Sequence, residues 1–193
     1  GKTSLLRAIA GFLPVDAGRL MFGDKDVARL PAYKRNIGMV FQDHKLLFDR
    51  SVMDNVRLPL DIAGYSHQDG QKRARAALDR VGLLPKEKLN PIHLSGGEQQ
   101  RLCIARAIVH RPSILLADEP TGNLDHAYAE DIMDLFESFN QVGVTVVLST
   151  HDEGFLNGRI EHAVVAKFFS QGSRFAKHAA QPPTHTPWPG RQI

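Results

Sequence analysis

Two adjacent carboxylates, Asp118 and Glu119, follow directly on an apolar run at residues 113–117. Such a run predicts a parallel strand that is buried on both faces. Ligands in α/β sheets bind at the carboxyl ends of the strands, which is where these two acids would lie. There Asp118 could hold Mg²⁺, and Glu119 could orient and polarise a water molecule. The alternative is a loop that carries two surface acids.

The first four residues, Gly1, Lys2, Thr3 and Ser4, stand at the start of a predicted helix that ends near Gly11. Gly-Lys-Thr supplies the last three positions of the phosphate-binding pattern G-x-x-x-x-G-K-[ST]. In that pattern the lysine reaches the phosphates and the hydroxyl ligates Mg²⁺. A tripeptide of this kind is common by chance, so an ordinary lysine in a first helical turn is the alternative.

A second candidate anion site lies at residues 94–101, which read Leu-Ser-Gly-Gly-Glu-Gln-Gln-Arg. Ser95, Gly96 and Gly97 would present a hydroxyl and bare backbone N–H groups at the positive end of a helix dipole. For the serine and glycines alone, a simple capping box is the alternative. The whole octapeptide favours a phosphate site.

Two further polar residues follow predicted strands. Gln42 comes after the apolar run at residues 37–41, and its neutral amide could ligate Mg²⁺ and contact a water molecule. His151 ends the run that begins at Val144, and it could hydrogen-bond a γ-phosphate or the attacking water. The alternatives are an ordinary polar loop residue and a histidine that is satisfied at a strand end.

These residues need an α/β sheet to bring them together. Between the apolar runs at 113–117 and 144–148, apolar residues recur at helical spacing, which predicts a strand–helix–strand unit with a parallel sheet. Residues 43–95 are largely helical between two strands, and we expect them to form a small helical lobe.

Composition is that of a globular protein: 193 residues, 42% hydrophobic, with one cysteine and a net charge of +3. Residues 166–193 contain four of the basic residues, no acidic residue and four prolines, so we expect a disordered basic tail. Because the remaining residues are close to neutral, the sequence predicts no specific nucleic-acid partner.

In their order and spacing these motifs resemble the nucleotide-binding domain of ATP-binding-cassette (ABC) proteins, over about residues 1–155. The resemblance implies a P-loop NTPase fold over residues 1–165, truncated so that the N-terminal strands are missing, with ATP and Mg²⁺ as cofactors. It implies phosphate contacts from Gly1, Lys2 and Ser4, magnesium ligation by Thr3, Gln42 and Asp118, Glu119 as catalytic base, His151 as switch histidine, and Asp125 in the D-loop at residues 122–125.

Such domains work as ATP-dependent head-to-tail homodimers. The resemblance therefore implies that ATP lies between the phosphate loop of one copy and Ser95, Gly96, Gly97 and Gln99 of the other. Hydrolysis would open this dimer and drive an integral membrane subunit.

A narrower resemblance, to the branch of the family that serves bacterial cell division, is carried by motifs within residues 37–64, 81–84, 116–125 and 139–146. It implies a peripheral protein on the cytoplasmic face of the inner membrane, with a membrane subunit that controls peptidoglycan hydrolases. An ATPase of a lipoprotein-releasing or solute transporter is one alternative. A non-catalytic truncated interaction module is the other, because the phosphate pattern is incomplete, and we expect weakened nucleotide binding for that reason.

Overall fold

The computed structural model describes residues 1–122 and 124–150, together with the backbone of residues 164–165. The strands in this part of the chain are β1 (Met21–Phe22), β2 (Lys25–Asp26), β3 (Ile37–Val40), β4 (Ile114–Asp118), β5 (Thr145–Ser149) and β6 (Val164–Val165). The α-helices are α1 (Lys2–Ala10), α2 (Val52–Ile62), α3 (His67–Arg80), α4 (Gly96–Ile108) and α5 (His126–Gln141). Strands β3 to β6 form a parallel sheet in the order β3-β4-β5-β6, and β1 pairs with β2 as an antiparallel hairpin.

Helices cover both faces of the parallel sheet. Alternate residues of β4 point to opposite faces, so Leu116 packs with Leu6 and Ala10 of α1, whereas Leu115 and Ala117 pack with α4 and α5 on the other face. All three of these β4 side chains are fully buried. This three-layer arrangement confirms the predicted parallel sheet, and it explains the uninterrupted apolar run of β4.

Strand β3 approaches helix α4 closely at Gly38. A Cβ atom at this position would collide with the carbonyl oxygen of Ala107 and press against the side chain of Leu115. Only glycine, which has no Cβ, allows this approach between strand and helix. The contact fixes the distance between β3 and α4. It therefore also constrains the segment directly after β3, which contains Gln42.

Between β3 and α4 the chain is largely helical, as predicted for residues 43–95. Ser51 and Ser66 are the N-caps of α2 and α3, and their side chains accept hydrogen bonds from the backbone N–H groups of Asp54 and Asp69. Apolar residues of both helices belong to the same core cluster as α4 and the sheet. The division of the chain into a domain, a lobe and a tail stays a prediction.

The predicted elements agree with the structure to within a few residues at their ends. Helix α3 ends at Arg80, and Gly82 two residues further on has the positive φ of 70° typical of a glycine beyond a helix end. No helix in the described part of the chain is long and apolar enough to span a membrane. His151, Asn123 of the D-loop and the tail at residues 166–193 lie outside the described residues.

Candidate functional site

A cleft of about 460 Å³ lies at the carboxyl end of β4. It is lined by residues from the start of α1, the segment after β3, the end of β4 and the turn that follows, namely Lys2, Thr3, Gln42, Asp118, Glu119 and Gly122. Sequence reasoning named all of these residues as candidates, with Gly122 as part of the D-loop. The parallel sheet brings them together because β3 and β4 run side by side and end at the same edge.

Asp118 is the buried centre of the cleft, at 3% exposure. Its Oδ1 accepts hydrogen bonds from the hydroxyls of Thr3, at 3.1 Å, and Ser149, at 2.7 Å. Ser149 was missed by the sequence analysis. The signal that could have found it is strand register, since Asp118 and Ser149 are paired positions of β4 and β5. The three side chains form a compact group of hard oxygen atoms at the edge of the sheet.

Lys2 and Glu119 face each other across the cleft. The Lys2 Nζ atom lies 3.8 Å from Glu119 Oε1, and it donates a hydrogen bond of 3.1 Å to the backbone carbonyl of Thr150. Both side chains are mostly buried, with 21% and 14% exposure. A negatively charged ligand entering the cleft would therefore meet a partly desolvated ammonium group, whose attraction is stronger than in bulk water.

Glu119 has a left-handed backbone, with φ of 48°. This conformation costs a non-glycine residue about 1–2 kcal/mol, so it must be held by its surroundings. Its N–H group donates to both the backbone carbonyl and the hydroxyl of Ser149, at 2.9 and 3.2 Å. These bonds hold the sharp turn that directs the chain from the buried strand into the cleft.

The second predicted anion site is at the start of α4, and none of its residues lines the cleft. Ser95 and Glu98 form a reciprocal capping box, with the hydroxyl of Ser95 accepting from the Glu98 N–H and the Glu98 carboxylate accepting from the Ser95 N–H. Lys86 also donates to the carboxylate, and this hydrogen bond lowers the pKa of Glu98 below its usual range. Ser95 and Gly96 are exposed at the front of the helix, whereas the capping box already occupies the N–H groups of Ser95 and Glu98.

Two further candidates have defined structural contacts. The Gln99 side chain donates to the backbone carbonyls of Pro91 and Leu94, at 3.2 and 3.3 Å, so it stabilises the turn before α4. Asp125 is the N-cap of α5, and its carboxylate accepts a hydrogen bond from the Tyr128 N–H at 3.2 Å. A ligand role for either residue stays a prediction. Tyr128, which sequence reasoning missed, packs over the buried Gly97.

Comparison with known proteins gives the class of this fold and site. Residues 1–122 match the family model described as ABC transporter. The structure also resembles "Dimeric Structure of MJ0796, a Bacterial ABC Transporter Cassette", with a TM-score of 0.70, 35% identity, and coverage of 80% of this chain and 72% of that one. A second structure of MJ0796, described as a post-hydrolysis state bound to ADP and Pi, gives a TM-score of 0.71 at the same identity and coverage. The chain belongs to the ABC transporter family and is an ATPase domain of that family.

Within this family the chain is similar to cell division ATP-binding proteins. It is 56% identical to the cell division ATP-binding protein FtsE of Escherichia coli over 164 residues, which are 82% of this chain and 74% of that protein. It is 40% identical to the Fe(3+) ions import ATP-binding protein FbpC of Streptomyces avermitilis, over 86% of this chain and 49% of that protein. The higher identity, and the larger share of the relative's own length that is matched, both favour the cell-division branch over a solute importer.

Proposed function

We propose that the cleft binds Mg²⁺ and ATP and that Glu119 acts as the general base for hydrolysis. The observation that carries this proposal is the grouping of Lys2, Thr3, Asp118 and Glu119 at one edge of the sheet, beside the start of α1. The first N–H groups of a helix and its positive dipole end favour a phosphate at that position. Lys2 would then exchange its contacts to Glu119 and Thr150 for phosphate oxygens.

The oxygen atoms around Asp118 suit a magnesium ion. Thr3 Oγ1 and Asp118 Oδ1 lie 3.1 Å apart, and the amide of Gln42 lines the same cleft. Mg²⁺ is commonly held by one or two protein oxygen ligands together with substrate phosphates and water, so one carboxylate, one hydroxyl and one amide suffice. When bound, the ion would neutralise charge on the phosphate oxygens.

In this proposal Glu119 accepts the proton of the attacking water. Its left-handed turn places the carboxylate beside Lys2, and the two hydrogen bonds from its N–H to Ser149 hold this turn in place. The switch role of His151 is part of the same proposal and rests on the family resemblance alone.

We further propose that two copies bind ATP head to tail. Ser95, Gly96, Gly97 and Gln99 belong to a second anion-binding group that does not line the cleft of its own chain. Ser95 and Gly96 are exposed at this helix start, and the positive end of the helix dipole can close over a phosphate held by another copy. Asp125 would lie near the resulting interface. The MJ0796 structure described as dimeric supports the formation of a dimer, and the head-to-tail order of the two copies is part of the proposal.

The partner we propose is an integral membrane subunit of the FtsX type, which places the chain peripherally on the cytoplasmic face of the bacterial inner membrane. Similarity to FtsE of Escherichia coli supports a role in cell division. The helical lobe at residues 43–95 is the proposed docking region. It exposes five large hydrophobic side chains, namely Phe48, Ile62, Tyr65, Leu89 and Ile92, at 50%, 75%, 38%, 41% and 68%.

The substitution Glu119→Gln tests the catalytic proposal. In a chain extended to a complete phosphate-binding pattern, we expect ATP turnover to fall by about 10²- to 10⁴-fold, the range for loss of a general base. Because the groups that bind ATP are unchanged in this variant, ATP should hold two copies together as a stable dimer. Size-exclusion chromatography with light scattering would detect this dimer. Glu137→Gln on α5 is the matched control, and it should turn over ATP like the parent chain. Unchanged turnover in Glu119→Gln would refute the role given to Glu119.

The membrane partner is tested separately. We expect the chain to co-purify with FtsX, and Ile92→Glu to weaken that association without changing ATP binding. Equal association of FtsX with the parent chain and with Ile92→Glu would place the docking surface elsewhere. Association with a lipoprotein-releasing transporter subunit instead of FtsX would favour the transport alternative.

A further inference from the structure

The segment that follows Gln42 has an unusual backbone. His44 and Lys45 are consecutive non-glycine residues with left-handed conformations, at φ of 58° and 47°. This region of φ is disfavoured for side chains with a Cβ atom, and it persists only where surrounding contacts hold it. The contacts that hold this turn therefore decide how the chain leaves the cleft after Gln42.

Helix α4 provides those contacts. The Arg106 guanidinium donates one hydrogen bond to the carbonyl of Lys45 and another to the carbonyl of His44, both at 2.7 Å. The Cys103 thiol, one turn earlier, donates to the same His44 carbonyl at 3.0 Å. Burial raises the pKa of Cys103 to about 12, so the thiol keeps its proton at neutral pH and can donate.

The other end of the segment is held by helix α2. The fully buried side chain of Asn55 donates to the carbonyl of Leu47 and accepts from its N–H, both at 2.9 Å. Residues 43–47 are therefore clamped between α4 and α2, while Gln42 lies just before the clamp and lines the cleft. A change in the clamp would move the amide of Gln42 relative to Asp118 and Glu119.

We propose that Arg106 is a positioning residue for Gln42, acting through the carbonyls of His44 and Lys45. The proposal rests on the proposed function, because the placement of Gln42 matters for catalysis only if the cleft holds the nucleotide. Helix α4 carries Ser95 at its start and Arg106 near its end. Arg106 therefore connects the helix of the second anion-binding group to the segment that leaves the cleft after Gln42. A planar fork suits two neighbouring carbonyls, which a single ammonium group cannot bind in the same way.

The kinetic test compares Arg106→Met with Arg106→Lys in a chain that has a complete phosphate-binding pattern. We expect Arg106→Met to lower kcat by roughly 10- to 100-fold with KM for ATP nearly unchanged, since misplacement by about 1 Å can cost 10²-fold. Arg106→Lys should recover part of kcat, because one carbonyl keeps a charged donor. Arg57→Met is the control, since Arg57 is also an arginine with a mostly buried side chain and an ion pair, to Asp61 on α2.

A second measurement, amide hydrogen exchange without nucleotide, makes the test independent of ATP hydrolysis. Arg106→Met should speed exchange at residues 43–47 and leave β4 and the rest of α4 protected. Unchanged exchange at residues 43–47 would overturn the proposal, and so would a general loss of protection along α4, which would indicate a purely structural role.

The two measurements separate this proposal from the proposed function. Faster exchange with kcat no lower than in Arg57→Met would overturn the link between the clamp and Gln42. A parent chain that hydrolyses no ATP would refute the proposed function, whereas the exchange pattern would still decide whether Arg106 holds the segment.

Discussion

The two candidate anion-binding regions differ in how they are built. At the cleft, Thr3 donates a hydrogen bond to Asp118, and Lys2 donates one to Thr150. The two partners are 115 positions apart in the first pair and 148 in the second. At the start of α4, Ser95 and Glu98 cap the helix over three positions. The cleft therefore exists only when the sheet and α1 are assembled. At the start of α4 the cap itself is local, and packing adds the contacts of Lys86 with Glu98 and of Tyr128 with Gly97.

The largest expected effect concerns the cleft. Asp118→Asn removes the charge that receives two hydroxyl hydrogen bonds and that we expect to hold Mg²⁺. ATP turnover should fall by about 10²- to 10³-fold, as when a central electrostatic group is removed from an active site. The measurement is steady-state phosphate release in a chain with a complete phosphate-binding pattern. Turnover within a factor of two of the parent would show that Asp118 is not a functional ligand.

The next effect concerns the packing between the sheet and α4. Gly38→Ala places a methyl group against the Ala107 carbonyl, which cannot move without shifting the helix. We expect a loss of about 2–3 kcal/mol in the free energy of unfolding, from overpacking. Gly96→Ala is the control, because a Cβ there meets no atom within 4 Å. Equal stability of the two variants in urea unfolding would mean that β3 and α4 adjust freely.

A smaller effect is expected at the start of α4. Ser95→Ala removes the side-chain acceptor for the Glu98 N–H and should cost about 1 kcal/mol of stability, as for other N-caps. Because this cap is local, the cleft should keep its affinity for ATP in the isolated monomer, and only ATP-dependent dimerisation should weaken. Calorimetry and light scattering measure the two separately. Weaker ATP binding by the monomer would contradict the proposed division between the two regions.

The smallest effect is the pH dependence of the same cap. The hydrogen bond from Lys86 lowers the pKa of Glu98 in the folded chain. The ionised Glu98 carboxylate therefore stabilises the fold at pH values above the ordinary pKa of glutamate, and this contribution is lost as the pH falls through the lowered pKa. The difference in unfolding free energy between the parent chain and Glu98→Gln, about 0.5 kcal/mol near pH 7 for a partly exposed pair, should shrink towards pH 3. A constant difference across this range would exclude the ion pair as its source.

Binding of Mg-ATP sharpens the comparison in a different way. Calorimetry should show tighter Mg-ATP binding by a chain that carries the full pattern G-x-x-x-x-G-K-[ST] than by residues 1–193 alone, because the backbone N–H groups of that loop surround the phosphates. Equal binding by both would show that the N–H groups of the added positions contribute little. Binding by neither would refute the proposal that the cleft holds ATP.

Much of the fold could be predicted from residue patterns because local energetics decide it. The apolar runs of β4 and β5, the serine caps of α2 and α4, and the glycine beyond α3 each act within a few residues. The same patterns predicted that Gln42, Asp118 and Glu119 lie at the ends of strands and that Lys2 lies at the start of a helix. The contacts of Ser149, Thr150 and Tyr128 could not be predicted in this way, because they depend on strand register and on how α5 packs.

The sequence by itself therefore determined which residues have suitable chemistry, namely the lysine, hydroxyls, amide and carboxylates at the ends of helices and strands. Only the tertiary structure decided their geometry. Parallel pairing of β3, β4 and β5 brings Gln42, Asp118 and Ser149 to one edge, and packing of α1 against β4 adds Lys2 and Thr3. The left-handed turns at Glu119 and after Gln42 belong to the tertiary level as well, because such backbone is stable only where distant groups hold it.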